Sequence, residues 1–117
     1  MIIYRVQHKN GRGPFKPGMT QRWAEQEERP GYVMFNYNEY ITDKCKYTGC
    51  GCESIKQLKK WFTENEYNTL KKLGYNAVKM YVDIIHNSDE FQCIFGRKKP
   101  LKKNCAIFDL YKEGNND

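Results

Sequence analysis

Residues 54–74 read SIKQLKKWFTENEYNTLKKLG, and this stretch predicts two short consecutive helices. Each begins with a capping-box pattern, Ser-x-x-Gln at 54–57 and Thr-x-x-Glu at 63–66, in which side chains satisfy the first free backbone amides of a helix. Gly74 has the position of the glycine that commonly follows a helix end. Apolar residues recur at helical spacing, at Ile55, Leu58, Trp61 and Phe62 in the first helix and at Tyr67, Leu70 and Leu73 in the second.

Strands are predicted on both sides of these helices, where short or alternating apolar runs are bounded by turn residues. The predicted strands cover residues 2–7, 76–85, 91–95 and 105–111, with turns at 49–53 and 87–89. A further short helix is predicted over Thr20–Arg29, and residues 32–41 are interpreted as strand or ordered loop.

This order of elements predicts an α+β fold with a mostly antiparallel sheet and two or three short helices. A chain of 117 residues is long enough for one compact domain, which we expect to cover residues 1–117 with a frayed tail at 112–117. The 15% aromatic content favours a folded chain over a disordered one.

The charge balance favours acidic partners. Lys and Arg total 20 and Asp and Glu total 14, which gives a net charge of +6. No apolar run approaches the ~18 residues that span a bilayer, and the first residues do not have the pattern of a signal peptide. We therefore expect a protein of the cytoplasm that contacts no membrane; its oligomeric state stays open.

The most basic stretch is GRKKPLKK at residues 96–103. One interpretation is a solvated hairpin loop. The other is a surface that binds a host protein or a nucleic acid. The candidate partner-binding residues are Arg97, Lys98, Lys99, Lys102 and Lys103.

The five cysteines do not have the spacing of a full zinc-ligand set. Cys45, Cys50 and Cys52 form a cluster without a matching second pair. The total of five cysteines is odd and the chain lacks a secretory pattern, which argues against a disulfide framework. Cys93 and Cys105 lie in apolar runs. We expect reduced thiols and no metal, and a structural zinc at Cys45, Cys50 and Cys52 is the alternative that the sequence leaves open.

The first strand carries Arg5 in its body and His8 near its end, and a basic loop of Gly, Pro and Arg follows at 11–18. A buried charge is costly in free energy unless polar groups pair with it. Arg5 either pairs with a carboxylate or faces an anionic ligand, for which the planar donors of Arg are well suited. His8 either faces water or shares that ligand. On the ligand interpretation, both side chains line one pocket with the loop.

The strand that ends in Tyr4-Arg5, followed by a Gly/Pro loop, resembles the opening of bacterial ADP-ribosyltransferases, and the later turn and Ser54 are similar to their Ser-bearing element. The pattern GCxSIxQLxxWF…LxxLGY…VxxYxV…FQxIF also looks like that of small proteins of phages and mobile elements. The resemblance implies NAD as cofactor and a host protein as the target.

Carried over by position, the resemblance implies that Arg5 holds a phosphate or ribose of NAD and that Ser54 orients the site. His8, Arg12 and Gly13 would join Arg5 in binding the cofactor. The late catalytic Glu of the family corresponds to Glu90 or is replaced by Gln92, an amide that cannot act as a base. Helix capping alone also explains Ser54, and a solvent-facing turn explains Glu90.

Two functions therefore remain open from the sequence. The first is an ADP-ribosyltransferase-like protein that uses NAD to modify or bind a host protein. The second is a non-catalytic basic inhibitor or adaptor of a phage or mobile element that binds a host protein or a nucleic acid through the stretch at 96–103.

Overall fold

The computed structural model describes residues 1–15, 20–25 and 45–112. These residues form six strands and two α-helices, and a single 3-10 turn lies at Thr20–Arg22. In chain order the elements are β1 (Ile2–His8), β2 (Tyr47–Gly51), α1 (Ile55–Trp61), α2 (Glu64–Lys72), β3 (Tyr75–Tyr81), β4 (Ile84–Ser88), β5 (Cys93–Arg97) and β6 (Cys105–Phe108).

The six strands form two antiparallel sheets of three strands each. Sheet A has the order β1-β3-β6, and sheet B has the order β2-β5-β4. One bridge joins the two sheets: Tyr4 N–H donates to Cys52 O at 2.8 Å, and Cys52 N–H donates to Tyr4 O at 2.7 Å. The α+β fold with a mostly antiparallel sheet is confirmed.

Sheet A is the middle layer of the molecule. Because side chains alternate along a strand, β1 places Val6 in the apolar cluster with the helices and Ile3 in the cluster with sheet B. The helix side contains Leu58, Trp61 and Leu70, all of them buried. Sheet A thus separates two apolar cores.

The two predicted helix starts are confirmed. Thr63 and Glu66 form a complete capping box. At the first helix, Ser54 Oγ accepts from Gln57 N–H, but Gln57 Oε1 accepts from Glu53 N–H instead of the amide of Ser54. Gly74 follows α2 with a φ of 94°, as expected of a glycine that ends a helix.

Several predicted boundaries differ from the structure. The turn predicted at 49–53 lies largely in β2, and the strand predicted over 76–85 is two strands separated at Val82–Asp83. The turn predicted at 87–89 lies later, because β4 extends to Ser88. Residues 26–29 of the predicted early helix, the segment 32–41 and the tail 113–117 lie outside the described residues.

No helix within the described residues is long and apolar enough to cross a bilayer.

Candidate functional site

A cavity of about 350 Å³ lies where β1 and β2 separate. The two strands are joined at Tyr4 and Cys52 and then diverge. Residues 11–15 and the inner face of α1 complete the wall. This volume is at the lower end of the range of small-molecule sites, and we call this space the Arg5 cavity.

Arg5 is 7% exposed and lies in the wall of this cavity. Its Nη2 donates to Gly11 O at 3.4 Å, and its guanidinium carbon lies 5.7 Å from the ring centroid of Phe95. Side-chain alternation directs Arg5 toward sheet B, because Ile3 on the same face packs there. The structure therefore brings a buried cation to an apolar cavity.

Two glycines make room for this guanidinium. A methyl group on Gly49 would overlap Nη1 of Arg5, and one on Gly13 would lie 3.3 Å from Nη2. Among the described residues other than its chain neighbours, no further heavy atom lies within 4 Å of the methyl group added at Gly13. The glycine at position 49 of β2 thus reflects the close approach of Arg5.

The backbone N–H and C=O groups of Val6 also point into the Arg5 cavity. N–H and C=O groups of successive strand residues point to alternate sides. Those of Tyr4 bond to Cys52, and His8 N–H donates to Arg12 O at 2.7 Å on the same side. Val6 lies between them and lines the cavity. Its N–H and C=O can pair with a ligand that has an adjacent donor and acceptor, such as a carboxamide or a nucleobase edge.

The rest of the wall is largely apolar and aromatic. Phe15 stacks on Phe62 at a centroid distance of 5.7 Å and lies edge-on to Trp61 at 5.6 Å. All three rings line the cavity together with Leu58 and Leu101. The helical spacing of Trp61 and Phe62 predicts only that they are core residues, because a helical stripe does not show which of its members border a cavity.

Of the residues proposed to bind the cofactor, Arg5, Arg12 and Gly13 line one cavity. His8 is not part of it: its ring packs edge-on to Tyr75 at 5.2 Å, and its Nδ1 accepts from Asn10 N–H. The physical reason is the position of His8 at the end of β1, on the face opposite to Arg5, where its ring packs on Tyr75 of β3. The expectation that both side chains share a pocket is therefore corrected.

The candidate catalytic residues are also separated. Ser54 caps α1 and lies outside the cavity lining. Glu90 is exposed in the turn before β5, where its backbone carbonyl accepts from Gln57 Nε2 at 3.0 Å. Gln92 does line the cavity. Among the described residues of the lining there is no carboxylate.

The basic stretch contains one buried arginine and four exposed lysines. Arg97 is 3% exposed, and its guanidinium donates to the carbonyls of Pro100 (3.1 Å), Lys103 (2.6 Å) and Asn104 (2.9 Å). Arg97 therefore holds the loop from inside and is not at the surface with the other candidate partner-binding residues. The exposed side chains are Lys98, Lys99, Lys102 and Lys103.

The cysteines near the cavity are free thiols. Cys50 and Cys52 line it. Burial raises the pKa of the Cys93 thiol to about 12 and also raises the pKa of Cys52, so both stay protonated at neutral pH. Within the described ranges, no group of three His, Cys, Asp or Glu side chains could hold a metal ion. The expectation of a metal-free protein stays a prediction.

Comparison with known proteins supports a phage origin. No curated protein matches the chain, and no solved structure matches it; the resemblance to ADP-ribosyltransferases gains no support from either comparison. A family model described as Bacteriophage T4 Y00F protein matches residues 1–105. Because this family model matches most of its length, the chain belongs to that family of phage proteins.

Proposed function

We propose that this phage protein binds a nucleotide, with NAD as the candidate, in the Arg5 cavity when it acts on a host protein. The observation that carries the proposal is the position of the Arg5 guanidinium in the wall of an aromatic cavity. Arg binds phosphate through its planar donors, and aromatic rings stack on planar bases. The Val6 backbone adds a donor and an acceptor for a carboxamide or base edge.

The size and lining of the cavity define the proposal further. About 350 Å³ holds one half of a dinucleotide, and the second half would extend past Arg12, which is exposed at the wall. A transfer reaction needs a carboxylate beside the reacting carbon. Because Glu90 lies elsewhere and Gln92 is an amide, we propose nucleotide binding and assign no transfer step.

The test is a thermal-shift series with NAD, ADP-ribose, nicotinamide and inorganic phosphate. A ligand that binds the folded state raises the melting temperature by mass action, and we expect NAD and ADP-ribose to raise it by several degrees at saturation. Gly13→Leu should abolish the shift, because the new side chain enters the space beside Arg5. Residue 13 precedes a proline and its φ is not positive, so leucine fits its backbone.

The matched control is Asn68→Leu, which places the same side chain on the exposed face of α2. It should retain the full shift. Equal shifts in the two variants, or no shift with either nucleotide in the unchanged protein, would contradict nucleotide binding in this cavity. Mass analysis of host proteins incubated with NAD tests for transfer in the same samples.

A second candidate function uses residues 98–104, here called the lysine loop. Its four exposed lysines are presented by a loop that Arg97 fixes through three hydrogen bonds. A fixed loop loses less conformational entropy on binding. We propose it as the surface for an acidic partner, either a host protein or a nucleic acid. Binding that weakens steeply with added salt supports this role.

A further inference from the structure

The lysine loop and the Arg5 cavity are parts of one continuous surface. Leu101, in the middle of the loop, lines the cavity. Gly11, which also lines the cavity, packs against the loop so closely that a methyl group there would lie 3.1 Å from Lys102 N and 3.3 Å from Leu101 Cβ. The exposed residues Lys102 and Lys103 therefore directly follow a residue that the loop and the cavity share.

The loop is also fixed to the cavity wall by hydrogen bonds. Gln7, a buried residue of β1, donates from Nε2 to Leu101 O at 2.9 Å. At the start of the loop, Lys98 N–H donates to the Asp83 carboxylate at 2.7 Å. Together with the three bonds of Arg97, these contacts hold the loop in one position relative to the cavity.

The chemistry changes along this surface. Inside are the aromatic rings of Phe15, Trp61 and Phe62 with the guanidinium of Arg5. Outside, Arg12 is exposed at the cavity wall, and Lys102 and Lys103 are exposed on the adjoining loop. Stacking rings followed by a row of cations match a chain of bases and phosphates, since such sites combine aromatic stacking with a positive track for the backbone.

We propose that this surface binds the phosphorylated end of a single-stranded nucleic acid. The terminal nucleotide enters the cavity with its phosphate at Arg5, and the following phosphates lie along Arg12 and the lysine loop. The inference rests on nucleotide binding in the Arg5 cavity and names the ligand class of that site. An acidic peptide matches the lysines but offers no planar ring for the aromatic wall.

The first test compares ends. Fluorescence anisotropy is measured with DNA strands of about 12 nucleotides that carry a 5′-phosphate, a 3′-phosphate or no phosphate, and with a circle of the same sequence. We expect one phosphorylated strand to bind about tenfold more tightly than the circle, a difference of about 1.4 kcal/mol. The phosphate position that gives the gain identifies the end that enters.

The second test separates the cavity from the loop. Lys102→Glu with Lys103→Glu should weaken binding of the phosphorylated strand and lower the slope of log K against log salt by about 1.4, since each single-strand phosphate contact contributes about 0.7. It should leave the thermal shift by ADP-ribose unchanged. The control, Lys56→Glu with Lys72→Glu, makes the same change in net charge on exposed helix residues and should retain tight binding.

The outcomes distinguish this inference from the proposed function. Equal affinity for the circle and the strands, or equal weakening by both pairs of substitutions, would overturn the nucleic-acid inference even where ADP-ribose still stabilises the protein. Loss of the end preference in Gly13→Leu supports it. Salt-sensitive binding of an acidic peptide without binding of any strand would assign the lysine loop to a protein partner and overturn the inference.

Discussion

Arg5 and Arg97 are both buried cations, but their guanidinium groups lie in different surroundings. Arg97 is enclosed by three backbone carbonyls of its own loop. Arg5 lies at a cavity, beside the Phe95 ring and two glycines. The first arrangement is typical of a structural residue, whereas the second places a guanidinium in the wall of a cavity.

The structural role of Arg97 leads to a stability prediction. Arg97→Met removes a charged donor and leaves three loop carbonyls without it, and we expect the free energy of unfolding to fall by about 2–4 kcal/mol. Urea unfolding followed by circular dichroism measures this loss. Lys99→Met, at an exposed position of the same loop, should change stability by less than about 0.5 kcal/mol. Equal losses would remove the assigned role of Arg97.

From the sequence, the indication that Arg5 lies at a ligand site is that an unpaired buried charge is costly in free energy. Alternation along the strand predicts that the side chains of Arg5 and His8 lie on opposite faces, but it does not by itself place His8 outside a cavity that Val6 also lines. The sequence contains no indication that Arg97 differs from the neighbouring lysines. That difference depends on the loop path, which brings three carbonyls to one guanidinium.

Among the elements, the helices were predictable and β2 was not. Capping boxes and the glycine after α2 are local signals that the folded chain retains. In β2 the glycines at 49 and 51 indicate a turn when read locally. Their physical reason is distant in sequence, since a side chain at these positions would meet Arg5 and Ile3.

Substitutions at the N-cap of α1 distinguish a structural role of Ser54 from a role in nucleotide binding. Ser54→Ala removes the acceptor for Gln57 N–H and should lower the free energy of unfolding by about 1 kcal/mol. It should leave the nucleotide thermal shift unchanged, because Ser54 is outside the cavity lining. Ser54→Asp retains an N-cap acceptor and should retain stability. A loss of nucleotide binding in both variants would instead place Ser54 in the site.

For the whole molecule, buried thiols make the free energy of unfolding depend on pH. Burial, together with the nearby Glu53 carboxylate, raises the pKa of Cys93 from 9.0 to about 12. The folded thiol therefore stays protonated in a range where the unfolded thiol ionises. The contribution of this protonated thiol to the free energy of unfolding is fully present below about pH 9. It falls as the pH rises from there toward 12, by at most about 1.4 kcal/mol per pH unit for one thiol.

Unfolding in urea at pH 7.5 and at pH 10 measures this dependence. Cys93→Ala should reduce the loss of stability between the two pH values relative to the unchanged protein. Cys105→Ala, at a half-buried thiol, is the matched control and should retain the loss. Burial also raises the pKa of Tyr67 and Tyr111, but both remain in each variant and cancel in the comparison. An undiminished loss in Cys93→Ala would contradict the assignment.

The order of strands in sheet A has a consequence for synthesis on the ribosome. β1 is translated first, but it pairs with β3, so Ile2 can pair only after Tyr81 has been synthesised. At about 5–20 residues per second, about 4 to 16 seconds separate the synthesis of Ile2 from that of Tyr81. β6 then pairs on the far side of β3. During this interval the apolar side chains of β1 lack their partners in β3, and the Arg5 cavity is incomplete until Leu101, the last of its described lining residues, has been translated.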